Sequence, residues 1–194
     1  GEAWRPGDAG FAELVRAALV LCADHELNVS AFASRVVAST GAHLHATVCA
    51  GLAALSGPRH GGATARAWAL IEAARDSRDL GRTIASRWRR GEDLPGFGHA
   101  LYPDGDPRAA TLLEMLRATS VDAAALRLLE DVVAAAEAAS GRRPNVDFML
   151  AAICVAHGLP AGPALSMFAA GRLAGWLAHA LEQQALGGLI RPRA

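Results

Sequence analysis

Apolar residues recur at helical spacing along nearly the whole chain and alternate nowhere, which leaves no room for a sheet. Phe11, Leu14, Val15, Ala18, Leu19 and Cys22 stand at positions i, i+3, i+4, i+7, i+8 and i+11, one face of an amphipathic helix. Val29, Phe32, Ala33, Val36 and Val37 repeat the pattern, with Asn28 near the cap and Gly41 as the stop. The alanine-rich stretch from His43 to Ser56 carries almost no charge and predicts a third helix buried on most sides. From Thr64 to Arg90 the charge density rises, so the helices there should be more exposed and anchored by Trp68 and Trp88. A short helix around Leu112, Met115 and Leu116 precedes a longer one through Ala125, Leu129, Val132, Val133 and Ala136 that ends at Gly141. Pro144 opens the next, through Phe148, Met149, Ala152, Ile153 and Ala156. After a connector from Gly158 to Pro163, the last helix runs to about Gln184 with Ala169, Leu173, Trp176 and Ala180 as its apolar stripe and Arg172 on the border. The expected fold class is all-α, with a domain boundary near residue 63.

A chain of 194 residues can bury a proper core. Its formal net charge is zero, so it lacks the electrostatic footprint of a nucleic-acid or anionic-membrane partner. Every basic side chain apart from histidine is arginine, and the absence of lysine excludes a Schiff base, a pyridoxal phosphate attachment and a Walker-type loop together. Arginine forks suit carboxylates and phosphates, although a GC-rich genome produces the same bias. Cys22, Cys49 and Cys154 are odd in number and widely spaced in apolar helical pattern, which reads as reduced core thiols of a cytoplasmic protein. No CxxC pair suggests zinc, no apolar run is long enough to span a bilayer, and no signal-peptide pattern opens the sequence.

Chemistry gathers at the breaks between helices. Leu94 to Arg108 is too rich in glycine and proline to be helical, so its amides and side chains must be committed to turns, water or a ligand. Gly96 and Gly98 bracket His99, and Asp106 followed by Pro107 reads as an N-cap and first helical residue that put Arg108 at a helix start favourable to anions. His25 and His60 also sit at breaks. His43, His45, His157 and His179 lie inside predicted helices and read as core or surface residues; a His-x-His pair points to different helix faces, so His43 and His45 form no metal site. With Asp147 and a guanidinium at Arg172 that must find an anion or suffer desolvation, the pattern suggests anion binding coupled to proton transfer.

Six blocks carry a resemblance: ADHE at Ala23–Glu26, GPRHGG at Gly57–Gly62, GFGH at Gly96–His99 through DPR at Asp106–Arg108, PNVDF at Pro144–Phe148, GRLAGWLAH at Gly171–His179 and IRPR at Ile190–Arg193. In this order they resemble the motifs of the citrate synthase family, over the C-terminal half or so of its length. The resemblance implies an all-α homodimer whose large and small domains close over the substrate. It assigns 1–62 to part of the large domain, 63–160 to the small domain, and 161–194 to a return to the large domain with a segment reaching the other subunit. The implied reaction condenses acetyl-CoA with oxaloacetate to citrate and CoA, with acyl-CoA as co-substrate and no bound cofactor or metal. Residue by residue, Asp147 resembles the base that takes a thioester methyl proton, His60 the donor to the enol oxygen, and His99 the histidine that polarises and protonates the ketone. His25, Arg108 and Arg172 resemble the other oxaloacetate ligands, and Arg191 the arginine supplied by the second subunit. A 2-methylcitrate synthase acting on propionyl-CoA is an alternative, as is a non-catalytic descendant that binds a dicarboxylate. The chain departs from the family pattern at Pro103, where a basic or polar residue is usual, at Leu150 and Ala151, where Ser-Gly is common, and at Arg59 and Thr64 around His60.

Overall fold

The computed structural model describes residues 3–191. The architecture is all-α: the helices are α1 (Ala9–Cys22), α2 (Val29–Ala38), α3 (Leu44–Leu55), α4 (Gly62–Arg75), α5 (Leu80–Arg89), α6 (Pro107–Ala118), α7 (Ala123–Ser140), α8 (Val146–Ala156) and α9 (Gly162–Leu186). No strand occurs among the described residues, and the β feature they contain is an isolated antiparallel bridge between Phe97 and Pro144. None of the helices is long and apolar enough to cross a membrane.

The helix ends follow local chemistry. Asn28 caps α2 by accepting from the Ala31 amide, and Asp106 caps α6 with Pro107 in its first turn. Gly141 closes α7 in the left-handed conformation at φ 69°. At α8 the cap is Asn145 rather than Pro144, because the asparagine oxygen accepts from the amides of Asp147 and Phe148 and a proline offers no such side chain.

Two compact units emerge from the contacts. The first takes in the described part of Gly1–Ala17 together with Ala63–Leu165; the second takes in Ala18–Gly62 and the described part of Ser166–Ala194. The described residues through Ala17 join the 63–165 unit. In the first unit α8 is buried from Phe148 through Ala156, with α6 and α7 packed against it and α5 against α7. Trp68 donates to the Leu159 carbonyl at 3.2 Å, and the Trp88 ring carries the Arg142 guanidinium at 4.8 Å. In the second unit α2 packs on α3.

Three expectations need correcting, all in the second unit. α3 buries only Thr47, Gly51 and Leu55, leaving Leu52 46% exposed. Cys49 is exposed on that helix, so it is no core thiol, while Cys22 and Cys154 are buried. On α9 Leu173 faces outward, and the buried line runs through Phe168, Gly171, Arg172, Gly175, Trp176 and Ala180. The reason is close backbone approach: a Cβ at Gly171 would meet the Leu19 carbonyl at 2.7 Å, and one at Gly175 would meet the Ala23 carbonyl at 2.3 Å. Those glycines select the face of α9 that turns inward, and Arg172 goes in with them.

Candidate active site

In the first unit a short bridge holds the His99 loop against the start of α8. Asn145 donates its amide to the Gly96 carbonyl, Gly98 donates to the Arg143 carbonyl, and the Asn145 side chain donates to the Gly98 carbonyl, each at 2.8 Å. Gly96 sits at φ 86°, and a Cβ there would lie 2.7 Å from Phe148 Cβ, so only glycine permits this approach. Asp147 follows directly in the first turn of α8, its amide donating to Asn145 Oδ1 at 3.0 Å. It is the one charged residue of an otherwise apolar helix and stays half-buried where the N-terminal dipole favours a carboxylate.

Asp106 joins the two helix starts. Its Oδ1 accepts from the Arg108 amide (3.0 Å) and Nε (2.9 Å), while Oδ2 accepts from Arg108 Nη2 (2.8 Å) and the Val146 amide (2.9 Å). One carboxylate thereby caps α6, accepts the first amide of α8 and orients Arg108. Burial pushes the Asp106 pKa up, but the Arg108 hydrogen bonds and charge and the Val146 and Arg108 amides outweigh it and hold the group below the ordinary carboxylate value. Beside this pair, His99 Nδ1 accepts from the Leu101 amide at 3.1 Å, so in the neutral ring the proton is on Nε2. Arg108 Nη2 lies 3.4 Å from that Nε2. Both are donors.

In the second unit His60 lies just before α4, its Nε2 2.9 Å from Ser30 Oγ. Ser30 Oγ also accepts from Trp176 Nε1 at 3.1 Å and donates to Asn28 Oδ1 at 2.9 Å. The single hydroxyl hydrogen therefore decides the imidazole tautomer. Given to Asn28, it leaves Ser30 to accept from His60 Nε2–H; given to His60 Nε2, it puts the ring proton on Nδ1 as a donor away from the serine. Burial and then the charge of Arg172 lower the His60 pKa and keep the ring neutral.

Arg172 is 1% exposed. Its Nε donates to the Cys22 carbonyl at the end of α1 at 2.8 Å, and its guanidinium stands 5.0 Å from the Phe168 ring, which presents its edge to His60 at 6.0 Å between centroids. His25 is half-buried in the turn between α1 and α2, where Glu26 takes a left-handed φ of 51°. Neighbouring Asp24 accepts from His179 Nε2 at 3.2 Å. Arg191 is exposed at the end of the described residues, and Pro192 and Arg193 of the last motif lie outside them.

The candidates thus fall into two groups, His99, Arg108 and Asp147 in the first unit and His25, His60, Arg172 and Arg191 in the second. Sequence reasoning missed Ser30, Asn145, Trp176 and His179 as supports and saw Asp106 only as a cap. All but Ser30 lie in a quoted motif, but side-chain reach becomes visible only in three dimensions.

The model of the citrate synthase C-terminal domain matches residues 3–193. This chain belongs to the citrate synthase family. A putative citrate synthase 2 from Mycobacterium bovis is 40% identical over 96% of this chain and 52% of its own length. A 2-methylcitrate synthase from Shewanella oneidensis is 37% identical over 91% of this chain and 48% of its own. Among solved structures, the ternary complex of Thermoplasma acidophilum citrate synthase with carboxymethyl coenzyme A and oxaloacetate has a TM-score of 0.80 at 30% identity, covering 96% of this chain and 52% of that one. The chain spans about half the length of these relatives.

Proposed function

We propose that the protein condenses acetyl-CoA with oxaloacetate through an enol and then hydrolyses the citryl thioester, releasing citrate and CoA. Asp147 takes a proton from the thioester methyl, His60 hydrogen-bonds the enol oxygen, and the enol carbon attacks the oxaloacetate ketone. His99 polarises that ketone through Nε2–H and protonates the alkoxide, water restoring its proton. His25, Arg108 and Arg172 hold the dicarboxylate, and Arg191 serves the site of a second subunit in a homodimer.

Physical chemistry explains this division of labour. A carboxylate is a weak base toward a carbon acid, and each unit of pKa mismatch costs about 1.4 kcal/mol, so the enol needs a donor already in place. When the Ser30 hydroxyl turns its hydrogen from Asn28 Oδ1 to His60 Nε2, the neutral ring carries Nδ1–H for the enol oxygen and meets that need. Apolar side chains exposed in the second unit, among them Phe32, Leu52, Leu181 and Leu186, favour burial against another copy.

The observation that carries the reading is the bridge that mounts the His99 loop on the turn bearing Asp147, because a dicarboxylate sensor has no use for that base. The decisive assay follows release of the CoA thiol from acetyl-CoA with oxaloacetate. Asp147→Asn should lower turnover about 10²- to 10⁴-fold while oxaloacetate still binds. Oxaloacetate binding without turnover of any thioester would leave a sensor. Faster turnover of propionyl-CoA would make the protein a 2-methylcitrate synthase, the reading favoured by the Shewanella relative.

A further inference from the structure

The end of α9 is tied to the end of α2 through polar side chains that take no part in the proton transfers. Gln183 is buried in the last turn of α9, and its amide group has two tasks. Oε1 accepts from Arg35 Nε on α2 at 2.9 Å, while Nε2 donates to the Gly187 and Gly188 carbonyls at 3.4 and 3.3 Å. Arg35 is itself held, because its Nη1 pairs with Glu182 and lies 3.4 Å from Nδ1 of His179, the ring whose Nε2 meets Asp24. Ser39, the C-cap of α2, donates to the Val36 carbonyl at 2.6 Å and accepts from the Ile190 amide at 3.0 Å.

These bonds fall where the backbone is least able to direct itself. Gly187 and Gly188 follow α9 at φ 68° and 83°, and two consecutive glycines leave many other paths open. Leu186 and Leu189 are exposed, so neither leucine anchors the segment. The Gln183 amide group therefore sets the turn, and the Ser39 hydroxyl sets the residue immediately before Arg191.

We propose that Gln183 and Ser39 are positioning residues for Arg191, holding the segment 187–190 so that the guanidinium is presented to the dicarboxylate of a second subunit. The proposal rests on the role given to Arg191 above. An arginine fork holds a carboxylate through its orientation, and a backbone already fixed at two points lowers the ordering cost of that contact.

The test is calorimetric titration of the whole protein with oxaloacetate, comparing the parent with R191Q, Q183E, S39A, S39T and the doubles Q183E/R191Q and S39A/R191Q. Q183E keeps an acceptor for Arg35 and gives up the NH2 group that reaches the two carbonyls; S39A gives up the acceptor of the Ile190 amide. R191Q should weaken binding about tenfold or more, and each positioning variant about three- to tenfold. Added to R191Q, neither should weaken it further, because the side chain they aim is gone. S39T restores a hydroxyl and should recover the parent affinity. Exchange of the Ile190 amide, followed by NMR, should be faster in S39A and parent-like in S39T. A purely structural role would weaken the parent and R191Q alike, so additive losses overturn the proposal, as does unchanged Ile190 exchange in S39A. Parent-like affinity in Q183E and S39A beside a weakened R191Q overturns it and leaves Arg191 as a ligand. An R191Q that binds like the parent, or a parent that binds no oxaloacetate, removes the ligand role and the proposal with it.

Discussion

Replacing Asp106 by asparagine tests whether one carboxylate organises the first-unit half of the site. The native group accepts four hydrogen bonds, three from Arg108 and one from the Val146 amide, and is 3% exposed. An asparagine keeps one acceptor oxygen and turns an NH2 toward the donors on the other side. The variant then leaves the buried Arg108 without its counter-charge and one helix start without its cap. Breaking a buried pair costs about 3–5 kcal/mol, and a lost cap adds about 1 kcal/mol. Urea unfolding followed by circular dichroism should therefore show a loss of about 4–6 kcal/mol, together with weaker oxaloacetate binding through the misdirected Arg108. The pH dependence has a definite sign. Asp106 has a lowered pKa in the fold, so its contribution is present above the unfolded value near 4 and disappears as pH falls through the folded value. The asparagine variant should lose that acid-sensitive component. A variant within 1 kcal/mol of the parent, with the same acid-unfolding curve, would refute the reasoning that one carboxylate serves both helix starts.

Ser30→Ala removes the hydroxyl that sets the His60 tautomer, and turnover should fall about tenfold with oxaloacetate affinity unchanged; equal turnover would show that the serine does not orient the donor. His60 and His157 both have lowered pKa values, burial being the largest cause in each. Each stabilises the fold above the ordinary histidine value and loses that contribution as pH falls through its folded value, so the acid limb of turnover should lie below about pH 6.5; a limb above it would contradict a neutral His60. Gly175→Ala would place a Cβ 2.3 Å from the Ala23 carbonyl and should cost about 1–3 kcal/mol in thermal unfolding. An unchanged melting temperature would mean that the α9 contact yields more easily than its geometry implies.

The sequence determined the helical class and most helix ends, because these depend on neighbouring residues: Asn28 and Asp106 cap within three positions, Gly141 needs only its own backbone freedom, and apolar spacing reports a buried face. It also carried the family motifs and so the candidate residues. What a residue does across a long separation was decided by tertiary structure. Nothing local says that Asp106 reaches the Val146 amide, that Ser30 stands between His60 and Trp176, or that Gly98 and Gly105 make room for Arg142 and Arg143. The outward turn of Leu173 and inward turn of Arg172 belong to the same class. Periodicity ranks faces by hydrophobicity, whereas close packing also ranks them by how near another backbone can come, and on α9 Gly171 and Gly175 decide in favour of the face that carries the arginine.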